Sequence, residues 1–156
     1  MAQPGDEVVE FRLWPPVAVG VPFLVGWLAT ATWGDPITLG EWRRPTGWGL
    51  VGFFLVWNGW SLWLFGRHRT GLLPGQETRS MIEQGPYRVS RNPLYVGLLA
   101  LYLGAALLLP TVWGLVAFPA AVVLLLWGAI RPEERFLHRR FGAAYDDYTG
   151  RVRRWL

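Results

Sequence analysis

The residues with the clearest chemical capacity are Arg91-Asn92-Pro93-Leu94-Tyr95-Val96-Gly97 and Arg131-Pro132-Glu133-Glu134. Between them, from Asn92 to Ile130, lie 39 residues without a charge. The two clusters therefore stand at the two ends of one apolar run. Carboxylates suit an ammonium or a diol, a guanidinium suits a carboxylate, and aromatic faces suit a flat ring or a cation. Polar groups crowded at both mouths of a hydrophobic hairpin imply a site at a membrane surface. Two isolated histidines, His68 and His138, do not make a metal site. With no cysteine, the chain has no thiolate ligand, thiol nucleophile, disulfide or Cys-linked lipid anchor.

Long apolar elements must position these groups. Leu13–Gly34 and Pro45–Gly66 each run 22 residues without a charge, and about 20 apolar residues cross a bilayer as helix. The 39-residue run is too long for one span and carries Pro110-Thr111-Val112-Trp113-Gly114 in its middle. It reads as two helices, roughly Leu94–Leu109 and Leu115–Ile130. The sequence thus predicts an all-α integral membrane protein with about four transmembrane helices, spans three and four forming a tight helical hairpin, and a C-terminal amphipathic helical tail. All 156 residues form one domain. Residues 1–66 supply two spans, and residues 67–156 supply a loop, the hairpin and the tail.

Every basic residue is Arg, and the net charge is +4. In a four-span arrangement thirteen of the fifteen arginines share the side of the N-terminus, the loop 67–91 and the tail, leaving Arg43 and Arg44 opposite. The positive-inside rule places both termini and the polar site in the cytoplasm. This split explains the basicity without nucleic acid, for which there is no motif. The first ten residues hold Asp6, Glu7 and Glu10 but no base, unlike a signal peptide.

Local signals refine the elements. Pro22 should kink span one. Asn58, deep in span two, should bond to another helix. Gly71, Pro74, Gly75, Gly85 and Pro86 break the long loop into turns. Asn92 reads as an N-cap with Pro93 at the first helical position. Gly97, Ala100 and Gly104 share a face that allows close helix approach, and Tyr95 and Tyr102 share another. Pro132 reads as the start of a new helix with Glu133 and Glu134 in its first turn, where their bland role is helix-start electrostatics. His138, four residues after Glu134, would form a local pair with it. Gly142 should end that helix. Phe141 before it and Tyr145, Tyr148 and Val152 beyond it form an apolar stripe, able to lie on headgroups or to close back over the helices.

In order, Gly85-Pro86-Tyr87-Arg88, Arg91–Gly97, an apolar hairpin, Glu133-Glu134 and Phe141-Gly142-Ala143-Ala144-Tyr145-Asp146-Asp147-Tyr148 resemble the isoprenylcysteine carboxyl methyltransferase and phospholipid methyltransferase superfamily. The likeness covers about residues 83–154. It implies a small helical membrane enzyme that uses S-adenosylmethionine (SAM). It also implies cofactor contacts from Tyr87, Arg91, Asn92, Pro93, Tyr95, Gly97, Glu133, Glu134, His138 and Tyr145, with Glu134, Arg91 and Tyr95 closest to catalysis. One position departs: the family's usual His is Asn92, which can donate and accept hydrogen bonds but cannot titrate near neutral pH.

Methyl transfer from a sulfonium needs in-line approach, so positioning and electrostatics should carry the catalysis. The implied acceptor is lipid-like or prenylated. An ionised carboxylate needs no base, whereas an ammonium or thiol must first lose a proton. Asn92 in place of His therefore tilts the reading toward carboxyl O-methylation. Phospholipid N-methylation and small-thiol S-methylation on the same scaffold are the alternatives. A non-catalytic membrane subunit, packing by its Gly and Trp faces, is an alternative of another class.

Overall fold

A computed structural model describes residues 11–68 and 82–156, the side chain of His68 excepted. The lead before Phe11 and the loop positions Gly71, Pro74 and Gly75 lie outside the described residues. Among these residues six α-helices follow in order: α1 (Pro15–Trp33), α2 (Arg43–His68), α3 (Pro93–Leu108), α4 (Val112–Leu125), α5 (Arg131–Phe141) and α6 (Ala143–Arg151). A 3₁₀ turn, Gly85–Arg88, precedes α3, and a π turn, Leu126–Ile130, joins α4 to α5. Among the described residues there is no strand.

Among the described residues three helical stretches are long and apolar enough to cross a membrane: Pro15–Trp33, Arg43–Arg67 and Val112–Phe141. The fourth expected span, α3, has only 16 residues, or about 24 Å against a hydrocarbon core of about 30 Å. α1 continues through Pro22 as one helix. Leu109, Pro110 and Thr111 join α3 to α4, as the sequence predicts. The closest packing lies elsewhere, however: α3 packs chiefly on α2, and α4 chiefly on α1.

Small residues set both contacts, as expected where lipid leaves packing to drive helix association. A Cβ on Gly26 of α1 would fall 2.5 Å from the Gly114 Cα of α4. A Cβ on Gly104 of α3 would fall 3.0 Å from the Gly47 carbonyl of α2, and Gly97 faces the Asn58 amide. Asn58 Nδ2 donates to Leu94 O at 3.2 Å, and the neighbouring Trp57 Nε1 donates to Pro93 O at 2.9 Å. The polar residue deep in α2 thus joins two helices, as its position predicts. Tyr102 closes the core, its hydroxyl donating to Gly114 O at 2.7 Å and its ring lying edge-on to Phe23 and Phe118.

At the end of the bundle away from the acidic pair, Thr111 caps α4 by accepting from Gly114 N at 2.9 Å. Its Oγ1 also lies 2.7 Å from the Thr30 hydroxyl. Asp35 Oδ1 accepts from Thr30 at 2.8 Å and from Val112 N at 2.9 Å. These bonds fix α1 and α4 in axial register before the charged end is reached.

One sequence expectation fails. Pro132 does not start a separate helix, because the chain is helical without a break from Val112 to Phe141. Glu133 and Glu134 therefore do not face a free helix N-terminus, and helix-start electrostatics does not account for them. Gly142, at φ +52°, ends α5 as expected. Beyond it Tyr145, Tyr148 and Val152 pack with Leu137 and Phe141.

Candidate functional site

Pro132 shapes the charged end of the bundle. Proline has no N–H, so the carbonyl four residues earlier, Gly128 O, loses its usual helical partner. The chain answers with the π turn, in which the Arg131 N–H reaches Leu126 O. Gly128 O accepts instead from the backbone N–H groups of Arg12 at 2.9 Å and Leu13 at 3.1 Å. Glycine is required there, since a Cβ would fall 2.6 Å from the Leu13 Cβ. The segment before α1 is thereby pinned beside the acidic pair.

The two mouths of the hairpin lie side by side, as predicted. Tyr95 of α3 donates its hydroxyl to Glu133 Oε2 of α5 at 2.7 Å. One residue on, Glu134 is held by a guanidinium fork: Arg154 Nε meets Oε1 at 2.9 Å and Nη2 meets Oε2 at 2.8 Å. Arg91 Nη1 stands 3.6 Å from the same Oε1. Bidentate pairs of this kind fix geometry as well as charge. The Arg91 Nε is buried and has no partner among the described residues.

The tail folds back over the loop before α3, the second of the two arrangements its stripe allows. Arg91 N donates to Arg153 O at 2.9 Å, and Ser90 Oγ donates to Arg154 O at 3.2 Å. Asn92 Nδ2 donates to that same carbonyl at 3.0 Å. Asn92 thus stands at the N-cap position of α3 but makes no side-chain cap bond. The amide expected to cap the helix ties down the tail. Deeper in, the Tyr148 hydroxyl donates to Tyr87 O at 2.7 Å.

Between α5, α6 and the pinned segment lies a cavity of about 390 Å³, within the range of small-molecule sites. Its walls bring together four sequence-predicted residues, Arg91, Glu134, His138 and Tyr145. Tyr95 and Glu133 face one another and are not among the lining residues. Tyr87, Asn92, Pro93 and Gly97 are buried supports around the site. His138 does not pair with Glu134; its Nε2 is 3.0 Å from Asp146 Oδ1 on α6, both side chains being exposed. The expected local Glu–His pair is lost because Arg154 already holds Glu134.

Sequence reasoning named Arg131 and Asp146 only within motifs, and missed Arg12, Trp127, Arg135 and Thr149 in the walls and Arg154 behind Glu134. A helical proline with Gly128 four residues before it was the available signal for Arg12. Nothing singled out Arg154 in an Arg-rich tail.

The tail phenols feel their surroundings. Burial first, then the charge of Glu134, pushes the Tyr145 phenol up to about 12, with Arg91 opposing. Burial and then Tyr145 raise Tyr148, and burial and then Glu133 raise Tyr87. All three remain neutral hydrogen-bonding groups at physiological pH. The fork to Glu134 raises Arg154 further above its ordinary value.

The donor set fits a ligand with an amino-acid end. A guanidinium with an unused buried N–H suits a carboxylate, a carboxylate suits an ammonium, and the phenol gives an aromatic face. No curated protein and no solved structure matches the chain. The profile of the phospholipid methyltransferase family matches residues 42–144, about two-thirds of the sequence. That stretch includes α2 to α5, Arg91, Tyr95, Glu133 and Glu134, but leaves Arg12 and Arg154 outside. With three helices able to cross a bilayer, the chain belongs to the phospholipid methyltransferase family and is an integral-membrane methyltransferase.

Proposed function

We propose that the protein is a SAM-dependent methyltransferase acting on the carboxylate of a lipid-like acceptor at the cytoplasmic membrane surface. The observation that carries this reading is the cavity at the charged end of the bundle, where Arg91, Glu134 and Tyr145 converge in a chain of this family. Arg91 would hold the cofactor's carboxylate and Glu134 its ammonium, with Tyr145 against a flat or cationic part. SAM supplies an electrophilic methyl group when bound. The chain's own task is to orient cofactor and acceptor and to exclude water from between them. Tyr95 and Glu133 fix α3 against α5 beneath the site, and the tail closes it.

A carboxylate acceptor fits because it needs no free base from the walls. Glu134 is forked by Arg154, and His138 is paired with Asp146. An ionised carboxylate attacks without losing a proton. A second reading, N-methylation of a lipid amine, is favoured by the family match itself. It would need a base to take the ammonium proton, and His138 is the candidate. In a four-span arrangement thirteen arginines fall on the side of the tail, which supports a cytoplasmic site.

Transfer of a labelled methyl group from SAM into native lipids by the purified protein tests the reading. Base-labile label released as methanol is the expected result. Label stable to base would overturn the carboxylate acceptor in favour of an amine or thioether.

A further inference from the structure

The cavity carries more positive charge than an amino-acid ligand uses. Four arginines line it, Arg12, Arg91, Arg131 and Arg135, against two carboxylates, Glu134 and Asp146. Glu134 already has Arg154 beside it, and Asp146 faces His138. Arg12, Arg131 and Arg135 have no carboxylate partner among the described residues. Three guanidiniums without a carboxylate around one cavity repel one another unless an anion stands between them.

Their placement is built rather than incidental. Arg12 is held by its backbone, through the carbonyl that Pro132 leaves free on Gly128. Its side chain is therefore presented to the cavity at a fixed point. Arg131 lies over the Trp127 ring, 3.9 Å from its centroid, and Arg135 is one turn further along the same face, its Nε on Arg131 O at 3.3 Å. Below Arg131 runs an exposed apolar stripe along α4 and the π turn: Val116, Val123, Leu124 and Trp127, with relative exposures of 62%, 51%, 37% and 52%. Helical spacing puts these residues in one line leading up to the arginines. An acyl or prenyl chain lying along that stripe would bring its headgroup to the cavity mouth.

We propose that Arg12, Arg131 and Arg135 form a headgroup subsite for the acceptor, taking the anionic group of a lipid, carboxylate or phosphate. The subsite lies beside the Arg154–Glu134 fork, on α5 and the segment before α1, and it selects negatively charged lipids over neutral ones. This rests on the reading of the cavity as the site of methyl transfer. Arg12 falls outside the family match, so the selection belongs to this chain's own N-terminal segment.

The test is binding, without turnover. Full-length protein in detergent is titrated by calorimetry with dihexanoyl phosphatidic acid, with the uncharged dihexanoyl glycerol and with inorganic phosphate. Phosphatidic acid should bind saturably, weaken as salt rises, and lose about tenfold in affinity in Arg12→Gln and in Arg135→Gln. Arg12→Lys should keep most of the affinity, and Arg44→Gln, at the other end of the bundle, should change nothing. SAM affinity should stay within about twofold of wild type in Arg12→Gln, since one screened charge at this distance contributes little. Equal binding of the uncharged glyceride, or unchanged affinity in both Gln variants, would overturn the subsite. Inorganic phosphate binding as tightly as the lipid would overturn the lipid as its source. A wild-type protein that binds phosphatidic acid but not SAM would uphold the subsite and sink the methyl-transfer reading instead.

Discussion

Asn92 shows what a single side chain does here. Its amide donates to the Arg154 carbonyl while the Arg154 guanidinium grips Glu134. One residue thus links the loop before α3, the tail and the acidic pair. Asn92→Ala should remove about 1 kcal/mol from tail docking, read as several-fold faster hydrogen exchange of the Arg91 amide, whose partner is Arg153 O. Unchanged exchange would place the tail's anchor elsewhere. The pair Glu133-Glu134 and the pair Arg91 and Tyr95 were legible in the sequence, because their types and spacing at the ends of an apolar run already imply a site. The Asn92 contact was not, because a residue before Pro93 carries a strong local cap signal. Only the folded tail supplies the partner that outcompetes it.

At the scale of elements, the continuous helix through the π turn and the folded tail make the site. Pro132→Ala restores an N–H that competes for Gly128 O. The Arg12 and Leu13 amides should then hold less firmly, by about 1 kcal/mol. Limited proteolysis on the N-terminal side of Leu13 should become several-fold faster; an unchanged rate would detach Pro132 from the placement of Arg12. The tail responds to pH through its phenols. Tyr145, up to about 12 from an ordinary value of 10.0, binds its proton more tightly when folded, and Tyr148 is raised as well. Their contribution is complete below pH 10 and is lost as pH rises from 10 towards 12. Tyrosinate absorbance and release of the tail should therefore rise together in that window. The amphipathic stripe of the tail and the end of α5 at Gly142 could be read from periodicity and a glycine. The continuity of α4 and α5 could not, since Pro132 beside two acidic residues imitates a helix start. The long range of the Gly128 bonds hides the compensation.

For the whole molecule, hydropathy predicts the architecture because lipid-spanning segments must satisfy their own backbone and therefore appear as long uncharged helices. It does not predict which helices pack together. That choice rests on matched small residues, Gly26 with Gly114 and Gly47 with Gly104, which no single span reveals. The packing of α1 on α4 carries the Arg12–Leu13 segment to the acidic pair, so that segment and the tail meet the matched family segment at one cavity. The central claim is that this cavity binds SAM through Arg91 and Glu134. Titration of SAM into the purified full-length protein, with Glu134→Gln beside it, tests that claim most directly. Saturable binding that weakens at least about tenfold in the variant, with the fold intact by circular dichroism, is the predicted result. No saturable binding to the wild type, or equal affinity in the variant, would contradict it.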